Sequence, residues 1–276
     1  MSGKPTGRLI IIGGHEDKEG ERTILKAVAQ RARGTHGHLV IVTVASNLPE
    51  ELGPEYRALF KDLGVQDVTV IDIRTRDEAA DQKRVEQIAT AKVVFFTGGD
   101  QLRITSQIGD SPLFRCIQEL YHKGATIAGT SAGAAVMPET MLIAGAGDES
   151  NRISALEMAP GLAFMKGVVI DSHFAERGRM GRLLGAVAQN PRNIGLGIDE
   201  DTAILVSGQE RFEVIGSGAV YVVDGIDISY SSLSEKQPEG IVSIYGAKLH
   251  VLGQDDQYDL HERCPIHDQA REHTPE

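Results

Sequence analysis

Thr126-Ile127-Ala128-Gly129-Thr130-Ser131-Ala132-Gly133-Ala134-Ala135-Val136 decides how the chain is built. A short apolar run stops at a G-x-S-x-G turn, and small residues able to open a helix follow at once. A serine there sits on a tight strand-to-helix turn, glycines on either side make room, and the next backbone N–H is free to serve an oxyanion hole. Two more apolar runs end on paired glycines. Leu9-Ile10-Ile11-Ile12 leads into Gly13-Gly14, and Val93-Val94-Phe95-Phe96-Thr97 into Gly98-Gly99. Glycine tolerates positive φ and close backbone approach, and α/β proteins assemble ligand sites at the C-terminal ends of their strands. With 31 glycines in 276 residues the chain is rich in such positions.

Outward from that turn, strand and helix patterns alternate. Residues 23–33 carry apolar side chains at Ile24, Ala27 and Val28, the spacing of an amphipathic helix. Residues 39–45, 68–73 and 93–97 read as buried strands, and residues 56–63, 77–91 and 112–122 as helices. The alternation predicts an α/β fold: a mostly parallel sheet with helices on both faces. After Thr202 the pattern changes to short runs between Gly, Asp and Ser turns, which predicts added β-hairpins over about 203–253. Residues 1–253 are therefore expected to form a single domain, and 254–276 a loosely held polar tail.

Charge and composition exclude several classes. The formal charge of −11 disfavours nucleic acid as a partner. The apolar runs of four or five residues are far short of the ~20 needed to cross a bilayer. Residues 1–8 are polar and lack the apolar segment of a signal peptide, so the expected compartment is the cytoplasm. Cys116 and Cys264 are too few for a disulfide scaffold and read as free thiols.

A serine nucleophile needs a base and a group to orient that base. His173 follows the strand-like run Val168-Val169-Ile170-Asp171-Ser172, and residues 194–198 form another run ending in Asp199-Glu200-Asp201. Spacing cannot choose among these three carboxylates. The chain order Ser, acid, His of an α/β-hydrolase would need a late histidine such as His250 or His261, from the hairpins or the tail; Ser, His, acid fits the strand ends better. Gly98-Gly99 ends a neighbouring strand, so its N–H groups can complete an oxyanion hole with that of Ala132. Arg177 falls one turn after His173, and Arg179 and Arg182 lie three apart beyond it; their guanidinium forks suit carboxylates. Asp171 would suit a substrate guanidinium or ammonium.

The segments 96–101, 129–134, 171–182 and 198–203 together resemble the cyanophycinases, serine peptidases related to aspartyl dipeptidase with a fold akin to class I glutamine amidotransferases. The resemblance spans about residues 8–230. It implies Ser131 as nucleophile, His173 as base and Glu200 as the third member, with Gln101, Asp171, Arg177, Arg179 and Arg182 holding substrate. It implies hydrolysis of cyanophycin, a poly-aspartate bearing arginine on each β-carboxyl, to β-Asp-Arg dipeptides, by a homodimer that needs no metal or other cofactor. Ser172 departs from the family's usual Gln, and its shorter hydroxyl puts that substrate contact in doubt. Two rival readings are a dipeptidase for short aspartyl or isoaspartyl peptides and a non-catalytic anion-binding module on the same fold. His15-Glu16-Asp17 is expected to line the rim, and G-G-x-E-D is no dinucleotide fingerprint because it lacks G-x-G-x-x-G. His261, Cys264 and His267 have metal-like content but read as tail, and His36-Gly37-His38 as a loop before a strand.

Overall fold

The computed structural model describes residues 7–34, 37–143, 156–208, 210–235 and 241–266. Its first half alternates β1 (Arg8–Ile12), α1 (Thr23–Arg31), β2 (His38–Val42), α2 (Pro49–Asp62), β3 (Asp67–Ile71), a 3-10 turn (Glu78–Ala80), α3 (Gln82–Ile88), β4 (Val93–Phe96), α4 (Gln101–Ile108), α5 (Pro112–His122), β5 (Thr126–Thr130) and α6 (Ala132–Ala135). Then come β6 (Thr140–Ile143), β7 (Glu157–Pro160), β8 (Val168–Ser172), α7 (Met180–Gln189) and β9 (Ile194–Ile198). Antiparallel elements follow: β10 (Thr202–Ser207), β11 (Arg211–Gly216), β12 (Val220–Asp224), β13 (Tyr230–Ser231), β14 (Ile244–Tyr245), β15 (Lys248–Leu252), β16 (Gln257–Asp259) and β17 (Cys264–Ile266).

Among the described residues the main sheet has nine strands in the order β17-β16-β11-β10-β1-β5-β4-β2-β3. β1, β5, β4, β2 and β3 run parallel, and β10 pairs antiparallel with the free edge of β1. Both faces of the parallel part are buried. Leu9, Ile11, Val40, Val42, Val94 and Phe96 enter one core and Ile10, Ile12, Leu39, Ile41, Val93 and Phe95 the other. Burial on both faces is why these strands read as unbroken apolar runs rather than alternating ones.

The predicted mostly parallel sheet is present, and a second, four-stranded sheet stands beside it. β8 and β9 leave the parallel array and join β12 and β15 in a second sheet of order β15-β12-β9-β8. Val168, Ile170, Ile194, Leu196 and Ile198 pack into the core shared with the main sheet, while Val169, Val223, Leu183 and Val187 form a smaller core under α7. The chain changes sheets at Asp199-Glu200-Asp201, the corner between β9 and β10. The expected loose tail is also corrected in part. β16 pairs with β11 and β17 with β16, anchored by the fully buried Tyr258 stacked on Phe212. Residues 267–276 lie outside the described residues, as does His36.

Candidate active site

Ser131 adopts φ 54° and ψ −110°, a region L-residues enter only when their surroundings enforce it, at a cost of about 1–3 kcal/mol. The enforcement is visible on both sides. The Ser131 N–H donates to the Ile12 carbonyl (3.0 Å), and the Ser131 carbonyl accepts from the N–H groups of Ala134 and Ala135 (3.0 and 2.9 Å) as α6 begins. A Cβ at Gly133 would collide with the Phe96 carbonyl, so the second glycine of the motif lets α6 lie against β4.

His173, also at positive φ (49°), stands just past β8 and is almost wholly buried. Its N–H donates to the Gly13 carbonyl (2.8 Å), and the Asp201 N–H to that of Gly14 (2.9 Å). Ile12, Gly13 and Gly14 thus present three successive carbonyls that fix the backbone at Ser131, His173 and the corner beside Glu200. Gly14 has a second requirement, since a Cβ there would strike the His173 ring.

These backbone anchors bring three side chains into a relay. His173 Nε2 lies 2.9 Å from Ser131 Oγ, and His173 Nδ1 lies 2.6 Å from Glu200 Oε1. The choice among three carboxylates that spacing left open is made by hydrogen bonding. Asp199 accepts from the N–H groups of Ala175 (2.9 Å) and Ala219 (3.2 Å). Asp201 accepts from the Asp17 N–H (2.8 Å) and the Ser217 hydroxyl (2.7 Å). Both are spent on holding the corner, and Glu200 points at the imidazole.

Burial lowers the pKa of His173; the Glu200 hydrogen bond opposes that shift and the Arg177 charge adds to it. The ring is therefore neutral at neutral pH, the state that can accept a proton. Among the described residues, the N–H groups of Gly99 and Ala132 meet no hydrogen-bond acceptor. Gly98 lies against Ser131, with a Cβ there falling 3.3 Å from that of the serine. Unpaired N–H groups beside a nucleophile are what an oxyanion hole requires. His15 Nδ1 stands 3.5 Å from Glu200 Oε2, its ring edge-on to His173 with centroids 5.3 Å apart. His15, His173 and Glu200 offer ligand atoms within 4.8 Å of one another, but both nitrogens of His173 already face Ser131 and Glu200.

A cavity of about 690 Å³ opens over Ser131 and His173, lined also by Glu16, Lys18, Tyr56 and Arg177. A larger one, about 990 Å³, lies around His38, Gln66 and Lys92 at the N-terminal ends of β2 to β4. The His38 nitrogens there are met by the hydroxyls of Thr90 (3.0 Å) and Thr69 (2.9 Å).

The other expected substrate contacts are placed differently. Asp171 is 2% exposed; its carboxylate accepts from Arg179 Nη1 (3.0 Å), from Arg182 Nε (2.8 Å) and from Arg182 Nη2. All three charges are buried or nearly so, and the one carboxylate is shared by the two guanidinium groups beneath the site in place of facing an open pocket, which leaves the cluster with a net charge of +1. Ser172 is buried, and its carbonyl accepts from Arg179 Nη1 (2.5 Å). Gln101, at the start of α4, donates from Nε2 to the Leu142 carbonyl (3.1 Å). Arg177 alone of the three arginines lines the cavity. The late histidines are elsewhere: His250 packs by Tyr258 with its Nε2 buried, and His261 faces Glu262. His267 lies outside the described residues. Sequence reasoning undervalued Glu16, which is 4% exposed within the cavity wall; its signal was an acidic residue two positions after a strand-ending Gly-Gly.

Comparison with known proteins supports the same chemistry. Residues 9–214 match the sequence profile described as Peptidase family S51. The chain is 37% identical to a protein named Cyanophycinase from Geminocystis herdmanii, over 94% of this chain and 95% of that one. It is 35% identical to one of the same name from a Nostoc species, over 94% of this chain and 87% of that one. The crystal structure of a peptidase from an acI-B1 Actinobacterium shares the fold, with a TM-score of 0.67 at 21% identity, covering 89% of this chain and 98% of the other.

Proposed function

This chain belongs to peptidase family S51, and from that premise we propose that it is a serine-type cyanophycinase, hydrolysing multi-L-arginyl-poly-L-aspartate to β-Asp-Arg dipeptides. The observation that carries the reading is the Ser131–His173–Glu200 relay, at 2.9 and 2.6 Å, beside unpaired Gly99 and Ala132 N–H groups. Ser131 Oγ attacks the scissile carbonyl while His173 Nε2 takes its proton. The two N–H groups receive the developing oxyanion, and Glu200 stabilises the imidazolium through Nδ1. His173 then protonates the leaving amine, and water activated by the same imidazole releases the acyl group from Ser131. Arg177 and Gln101 are proposed to contact substrate. Asp171, Arg179 and Arg182 hold the end of β8, and with it His173, from below.

Ser131→Ala should leave the fold intact by circular dichroism and lower kcat on purified cyanophycin by on the order of 10⁵-fold or more; activity within tenfold of the parent would overturn the reading. Product identification separates the rivals. Clearing of insoluble polymer with β-Asp-Arg release supports a cyanophycinase, whereas turnover of short aspartyl or isoaspartyl dipeptides alone points to a dipeptidase. Failure of a serine-directed reagent to label Ser131 points to a binding module. A homodimer in the cytoplasm is proposed as its working state. Exposed Ile226, Tyr230, Ile241, Tyr245, Leu249 and Val251 in the C-terminal third offer apolar surface for a second copy, and the unpaired Cys116 and Cys264 suit a reducing compartment. Light scattering on the purified protein checks the dimer.

A further inference from the structure

Three carboxylates are buried near the relay; Asp199 accepts backbone N–H groups at the corner, and the other two are treated in opposite ways. Asp171 receives two guanidinium groups. Glu16, 4% exposed, receives only neutral hydroxyls: one oxygen accepts from Tyr56 OH and the other from Thr130 Oγ1 (2.6 Å). Among the described residues no lysine, arginine or histidine forms an ion pair with Glu16. Lys18, in the same cavity wall, has its ammonium 2.8 Å from Glu55 and 4.5 Å above the Tyr56 ring. Burial of a carboxylate without a counter-charge is unfavourable and persists only where the surroundings demand it. Here the surroundings also hold it firmly. Tyr56 is wedged against Phe60 and Phe95, with ring centroids 6.3 and 4.9 Å away, and Thr130 is buried in β5 immediately before Ser131. Burial, and then the Glu16 charge, hold the Tyr56 hydroxyl in its protonated, donating form.

Glu16 and Ser131 line the same cavity, and so does Arg177, which is exposed and forms no ion pair among the described residues. Asp17, Lys18 and Glu19 also line the cavity, but Glu16 is its buried anion and Arg177 its exposed cation outside any ion pair among the described residues, the complement of a substrate that carries both charges. We propose that Glu16 is a specificity-determining residue that receives a cationic group of the substrate, a guanidinium or an ammonium, beside the carbonyl that Ser131 attacks. The inference rests on the hydrolase reading above and deepens it by naming what the pocket selects.

The test uses the full-length enzyme and short β-aspartyl-arginine oligomers in three forms: unmodified, with citrulline in place of arginine, and N-acetylated. Citrulline keeps the shape of arginine and removes its charge, and acetylation removes the terminal ammonium. The parent enzyme should lose about 30- to 1,000-fold in kcat/KM on one of the two altered substrates, the cost of removing one partner from a desolvated charge pair; which one it is identifies the cation. Glu16→Gln, which keeps the shape and can still bond both hydroxyls, should bring that preference down to within about threefold while Ser131 still reacts with a serine-directed reagent. Glu16→Asp, the second variant should the first fail to fold, should keep the preference at a higher KM. A parent enzyme indifferent to both modifications, or a Glu16→Gln enzyme with its preference intact, overturns the proposal. Loss of all turnover together with loss of Ser131 labelling in the parent would instead remove the hydrolase reading beneath it.

Discussion

Ser131 and His173 meet at 2.9 Å from the ends of strands in different sheets, and the two sides of that meeting are held by different forces. Beneath Ser131 lie β5 and its parallel neighbours, with both faces apolar and buried, so the turn stands on apolar packing with no ion pair beneath it among the described residues. Beneath His173 lies β8, whose last turns are held by a buried Asp171 and two arginines. The seam between them is backbone: three carbonyls from Ile12 to Gly14 take N–H groups from Ser131, His173 and Asp201. An apolar scaffold keeps the nucleophile in a strained conformation, and a polar one sets the ring and carboxylate that must change charge state during the reaction. Each half can be perturbed separately, and the outcomes should differ in kind.

The largest effect is expected where the polar half acts on the chemistry. Glu200→Gln keeps the shape of the 2.6 Å contact to His173 Nδ1 but removes its charge and favours the wrong imidazole tautomer. The fall in kcat should be about 10³- to 10⁴-fold, with the unfolding midpoint little changed. Asp199→Asn and Asp201→Asn, one residue away on either side, should cost far less in kcat because those carboxylates hold backbone and never touch the ring. Equal losses at all three positions would erase the division of labour at this corner.

The next effect is on stability. Asp171→Ala leaves two half-desolvated guanidinium groups without a counter-charge, which typically costs about 3–5 kcal/mol. On the apolar side Ile127→Val, a fully buried change of one methyl-sized group, should cost only about 0.5–1.5 kcal/mol. Urea denaturation of the two variants in parallel measures the contrast directly. A larger loss for Ile127→Val than for Asp171→Ala would mean that β8 does not depend on its ion pairs.

Much of the apolar half is legible in the sequence because parallel strands buried on both faces leave continuous runs such as Val93-Val94-Phe95-Phe96. The same signal conceals the second sheet. β8 and β9 have equally apolar runs, but they pair with each other and β12 while β10 takes the edge of β1, a long-range choice no local pattern records. β16 is missed because three residues with one buried apolar side chain, Tyr258, beside the buried but charged Asp259 carry no alternation to read. Strand ends reveal Ser131 and His173. Spacing does not separate Glu200 from its acidic neighbours, since the difference lies in which N–H groups face Asp199 and Asp201. Asp171 looks like a substrate contact until the chain turns back after His173, with the Arg179 N–H bonding the Phe174 carbonyl at 3.1 Å, and sets both arginines against it.

The smallest expected effect tests the charge environment of the base itself. Proton acceptance needs neutral His173, and burial lowers its pKa below the ordinary histidine value of about 6.5. Log kcat/KM should therefore be flat near neutral pH and fall on the acid side only below that value, as the ring becomes protonated. Three charged or titratable groups face this ring: Glu200 favours the imidazolium, while Arg177 and His15 disfavour it. Arg177→Ala removes a repulsive charge, so the acid-limb midpoint should rise; Glu200→Gln removes an attractive one, so in its residual activity the midpoint should fall. Since Arg177 also lines the cavity, its loss should lower the whole profile as well as move it, and the midpoint, not the height, is the diagnostic quantity. Raising the ionic strength should shrink the Arg177 displacement more than the Glu200 one, because the exposed guanidinium is screened by salt and the 2.6 Å contact to a buried ring is not. A midpoint that stays fixed or moves down in Arg177→Ala would show that burial and Glu200 alone set the state of the base, leaving Arg177 a purely substrate-facing role.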